Sequence, residues 1–141
     1  MGISRSETDP RFINKVLLEG NDNVTMNEVL YIVRQRPPNF FFRKPKFDDR
    51  LLRLDALTLK NYYHSKGFLN VKINDSFKEI EISNKRYVDI LFNIDEGKQF
   101  FLSKVNIVGN NIIEKERIRE VLGLSLKEPY NPVGLNDNLY L

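Results

Sequence analysis

The sequence predicts an α+β domain: a three-stranded mixed sheet with two antiparallel helices on one face, in the order β-α-α-β-β. Alternating apolar and polar side chains near both ends of residues 12–97 predict strands, and apolar residues at helical spacing between them predict two helices. A sheet with one apolar face covered by helices is a stable two-layer arrangement. The same order begins again in residues 98–141, which predicts the N-terminal half of a second copy in tandem.

Length and composition limit the kind of protein. A chain of 141 residues, 41% apolar and 29% charged, can hold one ordinary domain and part of another. It has no cysteine, which excludes disulfides, thiol nucleophiles and thiolate metal ligands. The net charge of +3 favours anionic partners without establishing nucleic-acid binding. No apolar run approaches the roughly 18 residues that cross a bilayer. No signal peptide is recognisable, which leaves open either a cytosolic chain or an exported one whose signal has been removed.

The first strand follows a polar stretch without periodicity. Residues 1–11 are interpreted as a disordered tail, because nothing in them predicts a buried face. Phe12–Glu19 alternates as a half-buried strand does, and the alternation directs Val16 and Leu18 inward. We therefore expect the domain to begin at residue 12.

Sequence signals bound the first helix on both sides. Gly20–Asn23 is a turn cluster, and Thr25 with Glu28 forms a capping box, in which each side chain can bond the other residue's backbone N–H. The apolar residues of the helix share one face: Met26, Val29, Leu30 and Val33. The loop Arg34–Lys46 ends the helix because it contains two consecutive prolines. It carries five basic residues and no acidic one.

The central helix is the longest predicted element, and a glycine ends it. Asp48 or Asp49 can cap its start by accepting bonds from backbone N–H groups. Its core face is formed by residues three and four apart: Leu52, Ala56, Leu59 and Tyr63. Gly67 can take the left-handed conformation that terminates a helix, and Phe68 is placed to fold back on the last turn.

A hairpin completes the first copy. Leu69–Ile73 alternates as a strand, which Phe77–Ile82 continues beyond a bulge near Asp75-Ser76. A turn at Ser83–Arg86 leads to the return strand Tyr87–Ile94. Its inward residues are Val88, Ile90, Phe92 and Ile94. The first strand is expected to lie parallel to this return strand in a right-handed crossover, which leaves the other hairpin strand at an edge of the sheet.

The second copy repeats the first at a constant offset. The matched residues of the opening strand and turn are Phe12 and Phe101, Lys15 and Lys104, Val16 and Val105, Gly20 and Gly109, and Asn21 and Asn110. Glu114–Leu122 matches the first helix, Gly123 can end it, and Leu135 and Leu139 indicate a further helix. The opening strand of this copy, Leu102–Val108, has no hairpin partner within the chain. We therefore expect it to pair with another copy, to swap between copies or to stay mobile.

Three of these motifs together resemble a known family. They are V-x-x-x-G-N after each opening strand, the helix end Tyr62-Tyr63-x-x-x-Gly67-Phe68, and Val88–Gly97 running directly into the next copy. Residues 12–140 resemble POTRA domains, the polypeptide-transport-associated repeats of BamA-like outer-membrane β-barrel assembly proteins. Two features depart from the family pattern. The second copy lacks its closing hairpin within this sequence. The loop Arg34–Lys46 is longer and more basic than the short glycine-containing link that is common there.

The resemblance implies a non-catalytic periplasmic module of an outer-membrane protein. It implies a C-terminal membrane barrel in the whole protein, outside this sequence, as well as unfolded outer-membrane proteins and accessory assembly lipoproteins as partners. Self-association through the truncated copy is a further expectation from the unpaired strand. The sequence shows no phosphate loop, catalytic triad or metal-ligand cluster. We therefore expect no enzyme activity, no cofactor, no metal and no nucleic-acid partner.

Candidate contact residues lie in three places. The first is the predicted edge strand, with residues Leu69, Asn70, Val71, Lys72 and Ile73. An extended client can pair with the backbone of such an edge whatever its sequence, although Lys72 also fits an ordinary protected edge. Phe40 and Phe41 beside Arg43 indicate either an aromatic–basic contact surface or rings that cover the core of the helix pair. Leu57 points away from the core face and is either a docking residue or an ordinary exposed leucine.

Two other functions stay open at this point. The same repeats occur in related secretion transporters, which this stretch of sequence does not separate from assembly factors. The type I KH domain shares the opening order of elements, and with a basic chain it would indicate RNA binding. KH domains, however, clamp the nucleic-acid backbone with a G-x-x-G loop between the two helices, and the corresponding loop here has no glycine. His64, the single histidine, lies near a helix C-terminus, where a cation interacts favourably with the helix dipole without any catalytic role.

Overall fold

The order of elements follows the predicted pattern. The computed structural model describes residues 9–41, 43–109 and 113–139. The elements in this part of the chain are β1 (Arg11–Glu19), α1 (Met26–Ile32), α2 (Asp49–Ser65), β2 (Lys72–Ile82), β3 (Lys85–Asp95), α3 (Lys115–Val121) and α4 (Pro132–Leu139). The α+β class and the β-α-α-β-β order are therefore confirmed.

The described residues group into two compact units. The first contains the described residues up to Leu59 together with Ile73–Asp95, and the second contains Lys60–Lys72 together with the described residues from Glu96 onward. The boundary between the copies at residue 97 stays a prediction, and most of the predicted tail lies outside the described residues. Within the described ranges, no helix is both long and apolar enough to cross a membrane.

The sheet has the strand order β1-β3-β2, and β1 runs parallel to β3 as predicted. The pairing shifts register between Ile13 and Lys15, so that Asn14 is an extra residue on β1. Because of this shift, Ile13 and Val16 are both buried, although they are three positions apart. Leu18, predicted to face inward, is half-buried.

A two-residue turn joins β2 to β3. Ser83 and Asn84 both have left-handed backbones, with φ of 48° and 64°, which is the conformation that a tight hairpin requires. The predicted turn extended to Arg86, whereas β3 already begins at Lys85. The inward residues predicted for the return strand are all buried: Val88, Ile90, Phe92 and Ile94. They form the centre of the apolar core of the first unit.

β2 starts later than the sequence indicates, which corrects the predicted edge strand Leu69–Ile73. Leu69 and Asn70 lie in a turn. The N–H of Val71 donates to the carbonyl of Phe68, and the Val71 side chain is only 2% exposed. Burial of Val71 in this turn produces the same apolar alternation as a strand. From Lys72 onward β2 continues through the expected bulge site as one element.

Both helices of the first copy begin at the predicted caps. Thr25 and Glu28 form the capping box of α1. The Oδ1 atom of Asp48 accepts from the N–H groups of Arg50 and Leu51 at 2.7 and 3.3 Å, which caps α2. The predicted core face of α2 is confirmed, since all four of its residues are buried: Leu52, Ala56, Leu59 and Tyr63.

The second unit contains the end of α2 and the start of the next copy. Gly67 ends α2 with a φ of 88°, and the ring of Phe68 folds back edge to face on Tyr63, with centroids 5.8 Å apart. The carbonyl of Gly67 accepts from the N–H of Phe100, whose own carbonyl accepts from the N–H of Tyr130. A Cβ at Gly67 would lie 2.6 Å from the Phe100 carbonyl oxygen, so only glycine allows this approach.

The second copy forms its helices but not its strand. α3 and α4 cover the positions predicted for them, and Gly123 follows α3 with a φ of 64°. Residues 102–108, all of them described, belong to no sheet, so the strand predicted there is wrong. A strand requires a hydrogen-bonded neighbour, and the sheet of the described residues contains only β1, β3 and β2. Asn110, which completes the repeated V-x-x-x-G-N motif, lies outside the described residues.

The repeated glycines Gly20 and Gly109 provide a matched stability test. Their φ values are 77° and 80°, but a Cβ would lie 2.0 Å from the Ile94 carbonyl oxygen at Gly20, whereas it meets nothing within 4 Å at Gly109. We expect Gly109→Ala to cost about 1 kcal/mol for its left-handed backbone, and Gly20→Ala about 3 kcal/mol because the clash is added.

Residue-resolved amide exchange gives the free energy of opening of the unit that contains each glycine. Equal losses for the two variants would contradict the role assigned to the Ile94 carbonyl.

Candidate functional site

The two edges of the sheet differ. The outer side of β1 is partly covered by residues 45–47, because the N–H of Ile13 donates to the Pro45 carbonyl and the N–H of Phe47 donates to the Arg11 carbonyl, both at 2.8 Å. A bridge between Phe12 and Lys46 lies between these bonds. Among the described residues, β2 has a strand neighbour on one side only. The open edge of the sheet is therefore β2, as predicted, although it starts at Lys72.

A groove follows this edge between α2 and β2. It has a volume of about 500 Å³ and is lined by Asp49, Leu52, Arg53, Asp75, Ser76 and Phe77. The lining combines both signs of charge with an exposed aromatic ring. A polypeptide paired with β2 would direct alternate side chains toward this groove, because side chains alternate across a strand. None of the lining residues was among the predicted contact residues. The groove exists because α2 and β2 lie side by side in the fold, which the sequence pattern does not show.

Aromatic packing and a cation hold the middle of β2 in place. The rings of Phe47 and Phe77 lie 4.8 Å apart between centroids. The guanidinium of Arg11 lies 4.9 Å from the Phe47 ring centroid and 5.6 Å from that of Phe77. Arg11 was assigned to the disordered tail, which is wrong, since it is the first residue of β1 and reaches across the sheet to β2.

Ion pairs in the same region connect all three strands. Arg11 bonds to Asp49 and, at 2.9 Å, to Glu79 on β2, while Arg86 on β3 bonds to Glu79 at 2.8 Å. Hydrogen bonds, first from Arg86 and then from Arg11, hold the pKa of Glu79 below its ordinary value. A carboxylate with a lowered pKa stabilises the fold above its pKa in the unfolded chain, and this contribution is lost as the pH falls through the pKa in the folded state.

Neutralising Glu79 should therefore change how stability depends on acid pH. We expect Glu79→Gln to lower the free energy of unfolding at neutral pH by about 1 kcal/mol, because these pairs are partly exposed. Below the ordinary carboxyl pKa of 4.5 the wild type should lose this advantage. Urea unfolding as a function of pH measures the convergence. The control Glu114→Gln removes an exposed carboxylate that makes no capping bond to α3. A constant gap between wild type and Glu79→Gln at all pH values would contradict the assignment.

The predicted contact residues are distributed over different parts of the molecule. Of the five expected on the edge strand, only Lys72 and Ile73 belong to β2. Leu57 on α2 is 59% exposed and does point away from the core. Whether Leu69, Asn70, Val71 and the other predicted residues bind a partner stays a prediction.

The loop between α1 and α2 exposes the aromatic residues that the sequence left ambiguous. Phe40 and Phe41 are 81% and 84% exposed, so the interpretation that these rings cover the helix-pair core is wrong for both. Arg43 beside them is also exposed. Phe42, the third ring of the run, lies outside the described residues. The loop therefore presents an aromatic–basic surface.

A buried carboxylate anchors the start of this loop. Asp55 on α2 is 1% exposed and accepts from the backbone N–H groups of Arg34 and Gln35 at 2.8 and 2.9 Å. The side-chain carbonyl of Gln35 accepts in turn from the N–H of Asp48 at 2.7 Å. The end of the loop is held by its bonds to β1, so both ends are fixed. Sequence reasoning missed Asp55, because the N–H groups that donate to it lie 20 and 21 residues away in the chain and no local signal identifies them.

Removing the Asp55 carboxylate should destabilise the first unit. We expect Asp55→Ala to cost about 3 kcal/mol, because two N–H groups would lose their acceptors, and Asp55→Asn to cost less because one oxygen remains. The exposed control Asp22→Ala should change stability by less than about 0.5 kcal/mol. Urea unfolding measures all three variants. A loss for Asp55→Ala as small as that for the control would show that the anchor is unimportant.

Most titratable groups of the described residues lie at the surface of the molecule. Among the described residues, no group of three or more His, Asp or Glu side chains is arranged to hold a metal ion. What the structure presents is an open sheet edge with an adjoining groove and a separate exposed loop. These features define an α+β domain with an open sheet edge, a structure to which an extended polypeptide could add a strand.

A comparison with protein-family models identifies the family. Residues 12–97 match the model for POTRA, described as the surface antigen variable number repeat. The chain belongs to the POTRA family, which confirms the resemblance inferred from the repeated motifs.

Curated relatives and solved structures agree with this assignment. The chain is 24% identical over 123 residues to the outer membrane protein assembly factor BamA of Buchnera aphidicola, a match covering 84% of this chain and 20% of the relative. It is 23% identical over 115 residues to a putative outer membrane protein assembly factor of Treponema pallidum, covering 79% and 14%. The chain thus spans a fifth or less of the length of these relatives.

The fold also matches a known structure. Superposition on POTRA domains 3–5 of Haemophilus influenzae BamA gives a TM-score of 0.67 over 97% of this chain and 54% of the other, at 16% identity. At this identity the match establishes the shared fold.

Proposed function

We propose that the chain is a non-catalytic, periplasmic interaction module of an outer-membrane protein assembly factor, and that it binds unfolded outer-membrane proteins by adding a client strand to β2. The open edge of β2 is the observation that carries this proposal. The curated relatives are named as assembly factors, which supports a role in outer-membrane protein assembly. They favour assembly over the secretion transporters that the sequence left open.

The edge offers binding without a requirement for a particular client sequence. β2 is 11 residues long, and an added strand would take up its outward N–H and C=O groups. Every polypeptide carries the same backbone groups, so one edge can serve many clients. The charges of Lys78 and Glu79 on β2 discourage uncontrolled pairing between copies, since charged side chains on an edge make aggregation unfavourable.

The groove between α2 and β2 would add a limited side-chain preference. Phe77 offers an aromatic contact, while Arg53 and Asp75 offer opposite charges. An unfolded barrel strand alternates apolar and polar residues, so one set of its side chains fits a groove that has both characters. Lys72 and Ile73 lie at the start of this edge, and the turn Leu69–Val71 leads into it.

We assign other surfaces of the module to further partners in outer-membrane protein assembly. Leu57 lies on the exposed side of α2 and is proposed as a contact for an accessory assembly lipoprotein. A C-terminal membrane barrel in the whole protein is part of this proposal. Residues 102–108, which have no sheet partner among the described residues, are proposed to pair with a further strand, from the same protein or from a second copy.

Amide hydrogen exchange tests strand addition directly. An unfolded outer-membrane barrel protein is diluted from urea into a solution of the chain. We expect alternate amides of β2 to exchange more slowly, because only every second N–H of β2 points away from β3. Amides of β3 should change little, since β3 is already paired on both sides. Residue-resolved exchange by nuclear magnetic resonance measures both sets.

A crosslinking control uses the lack of cysteine in the chain. A single cysteine from Lys78→Cys on β2 should crosslink to a cysteine-containing client more efficiently than one from Asp22→Cys in the turn before α1. If the client binds while β2 amides keep their exchange rates and both cysteines crosslink equally, strand addition is wrong.

A further inference from the structure

The tip of the loop between α1 and α2 exposes apolar surface that the fold does not use. The rings of Phe40 and Phe41 contact each other edge to face, with centroids 5.4 Å apart and planes at 89°. We refer to these two residues as the aromatic tip. Each ring is more than four-fifths exposed. Two phenylalanine rings left in water forgo a large hydrophobic stabilisation, which indicates that a partner covers them.

The charges around the aromatic tip have one sign. Residues 34–46 contain five basic residues and no acidic one. Lys44 lies beside Lys85, the first residue of β3, and lowers its pKa, first through a side-chain hydrogen bond and then through repulsion between the charges. An anion between these two side chains would relieve the repulsion.

A cleft at the base of the loop has the same character. It has a volume of about 280 Å³ and is lined by Arg34, Arg36, Pro37, Asn39 and Pro45. The guanidinium of Arg36 is fixed by bonds to the carbonyls of Val33 and Tyr31 at 3.1 and 3.2 Å. No carboxylate belongs to this lining, so the cleft suits an anionic group.

The fold holds both ends of the loop in place. Asp55 fixes the start of the loop through two backbone N–H groups, and β1 fixes its end through Pro45 and Phe47. A loop whose ends are already fixed loses less conformational entropy on binding than a free segment does.

We propose that this loop docks the domain on an anionic phospholipid bilayer, with Phe40 and Phe41 entering the interface and Arg43, Lys44 and Lys85 contacting lipid phosphates. A bilayer interface offers an apolar layer beneath a layer of phosphates, which matches an apolar tip surrounded by cations. A purely acidic polypeptide or a base-paired RNA would neutralise the cations but would leave the rings in water, because neither offers apolar side chains or unpaired bases on which the rings could pack. The proposal is independent of client binding at β2, which lies at the other side of β3 from β1.

Vesicle co-sedimentation tests the docking with the 141-residue chain. We expect binding to vesicles made of equal parts of phosphatidylglycerol and phosphatidylcholine, and little binding to pure phosphatidylcholine. Binding should weaken as salt is added, because exposed charges are screened. A chain that stays in the supernatant with the anionic vesicles at low salt overturns the proposal.

Two double variants separate the apolar and ionic contributions. Arg43→Gln with Lys44→Gln should weaken binding about 25-fold, at roughly fivefold for each cation near the surface. Phe40→Ser with Phe41→Ser should weaken it at least about tenfold through lost apolar burial. The matched controls Lys60→Gln and Leu54→Ser remove an exposed cation and an exposed apolar side chain elsewhere. Both should bind as the wild type does, and circular dichroism should show all four proteins folded.

Fluorescence reports insertion itself. The chain has no tryptophan, so Phe41→Trp introduces a single indole at the aromatic tip. Its emission should shift to the blue with anionic vesicles and should be quenched by brominated lipid chains. If the emission stays unchanged, or if the double phenylalanine variant binds as the wild type does, the rings do not enter the interface. Equal binding of a polyglutamate peptide or an RNA, unaffected by the phenylalanine changes, would likewise overturn the bilayer as the partner.

Discussion

The position of β3 between the other two strands is the constraint on which the rest of the domain depends. β3 comes last in the first copy, yet it pairs with β1 in parallel and with β2 through a tight hairpin. Its four inward side chains, from Val88 to Ile94, are buried and supply the middle of the core. β1 pairs with a strand that lies about 70 residues later in the chain. The sheet can therefore form only after the two helices have brought the chain back to β1.

This topology also makes the two sheet edges unequal. The chain crosses back over β1 at residues 45–47 on its way to α2, and its backbone takes up bonding groups there. No described segment does the same for β2, so one edge is covered and the other is open. The same crossing fixes the far end of the exposed loop. The open edge and the exposed loop therefore result from one path of the chain, although they lie in different places.

Periodicity predicted most of the fold because α1, α2 and β3 each bury one face at a regular spacing. The caps at Thr25 and Asp48 were also predictable, since a cap depends on residues only a few positions away. The edge strand was placed too early because Val71 is buried in a turn, and burial without strand pairing gives the same pattern of apolar residues. The groove beside Phe77 and the anchor at Asp55 could not be predicted, since both depend on residues brought together by tertiary structure. Hydrophobicity alone left Phe40 and Phe41 undecided, because it measures a preference for burial and does not show whether a core is within reach.

The buried Asp55 carboxylate has a thermodynamic consequence for the loop that it holds. The anchored conformation exists only while α2 is folded, so a bilayer that prefers this conformation, as proposed above, would favour the native state. Mass action would then add to the stability of the domain when lipid is present, in proportion to the logarithm of the lipid concentration above its dissociation constant. A domain held at a membrane surface would resist unfolding by heat or by tension better than the same domain free in solution.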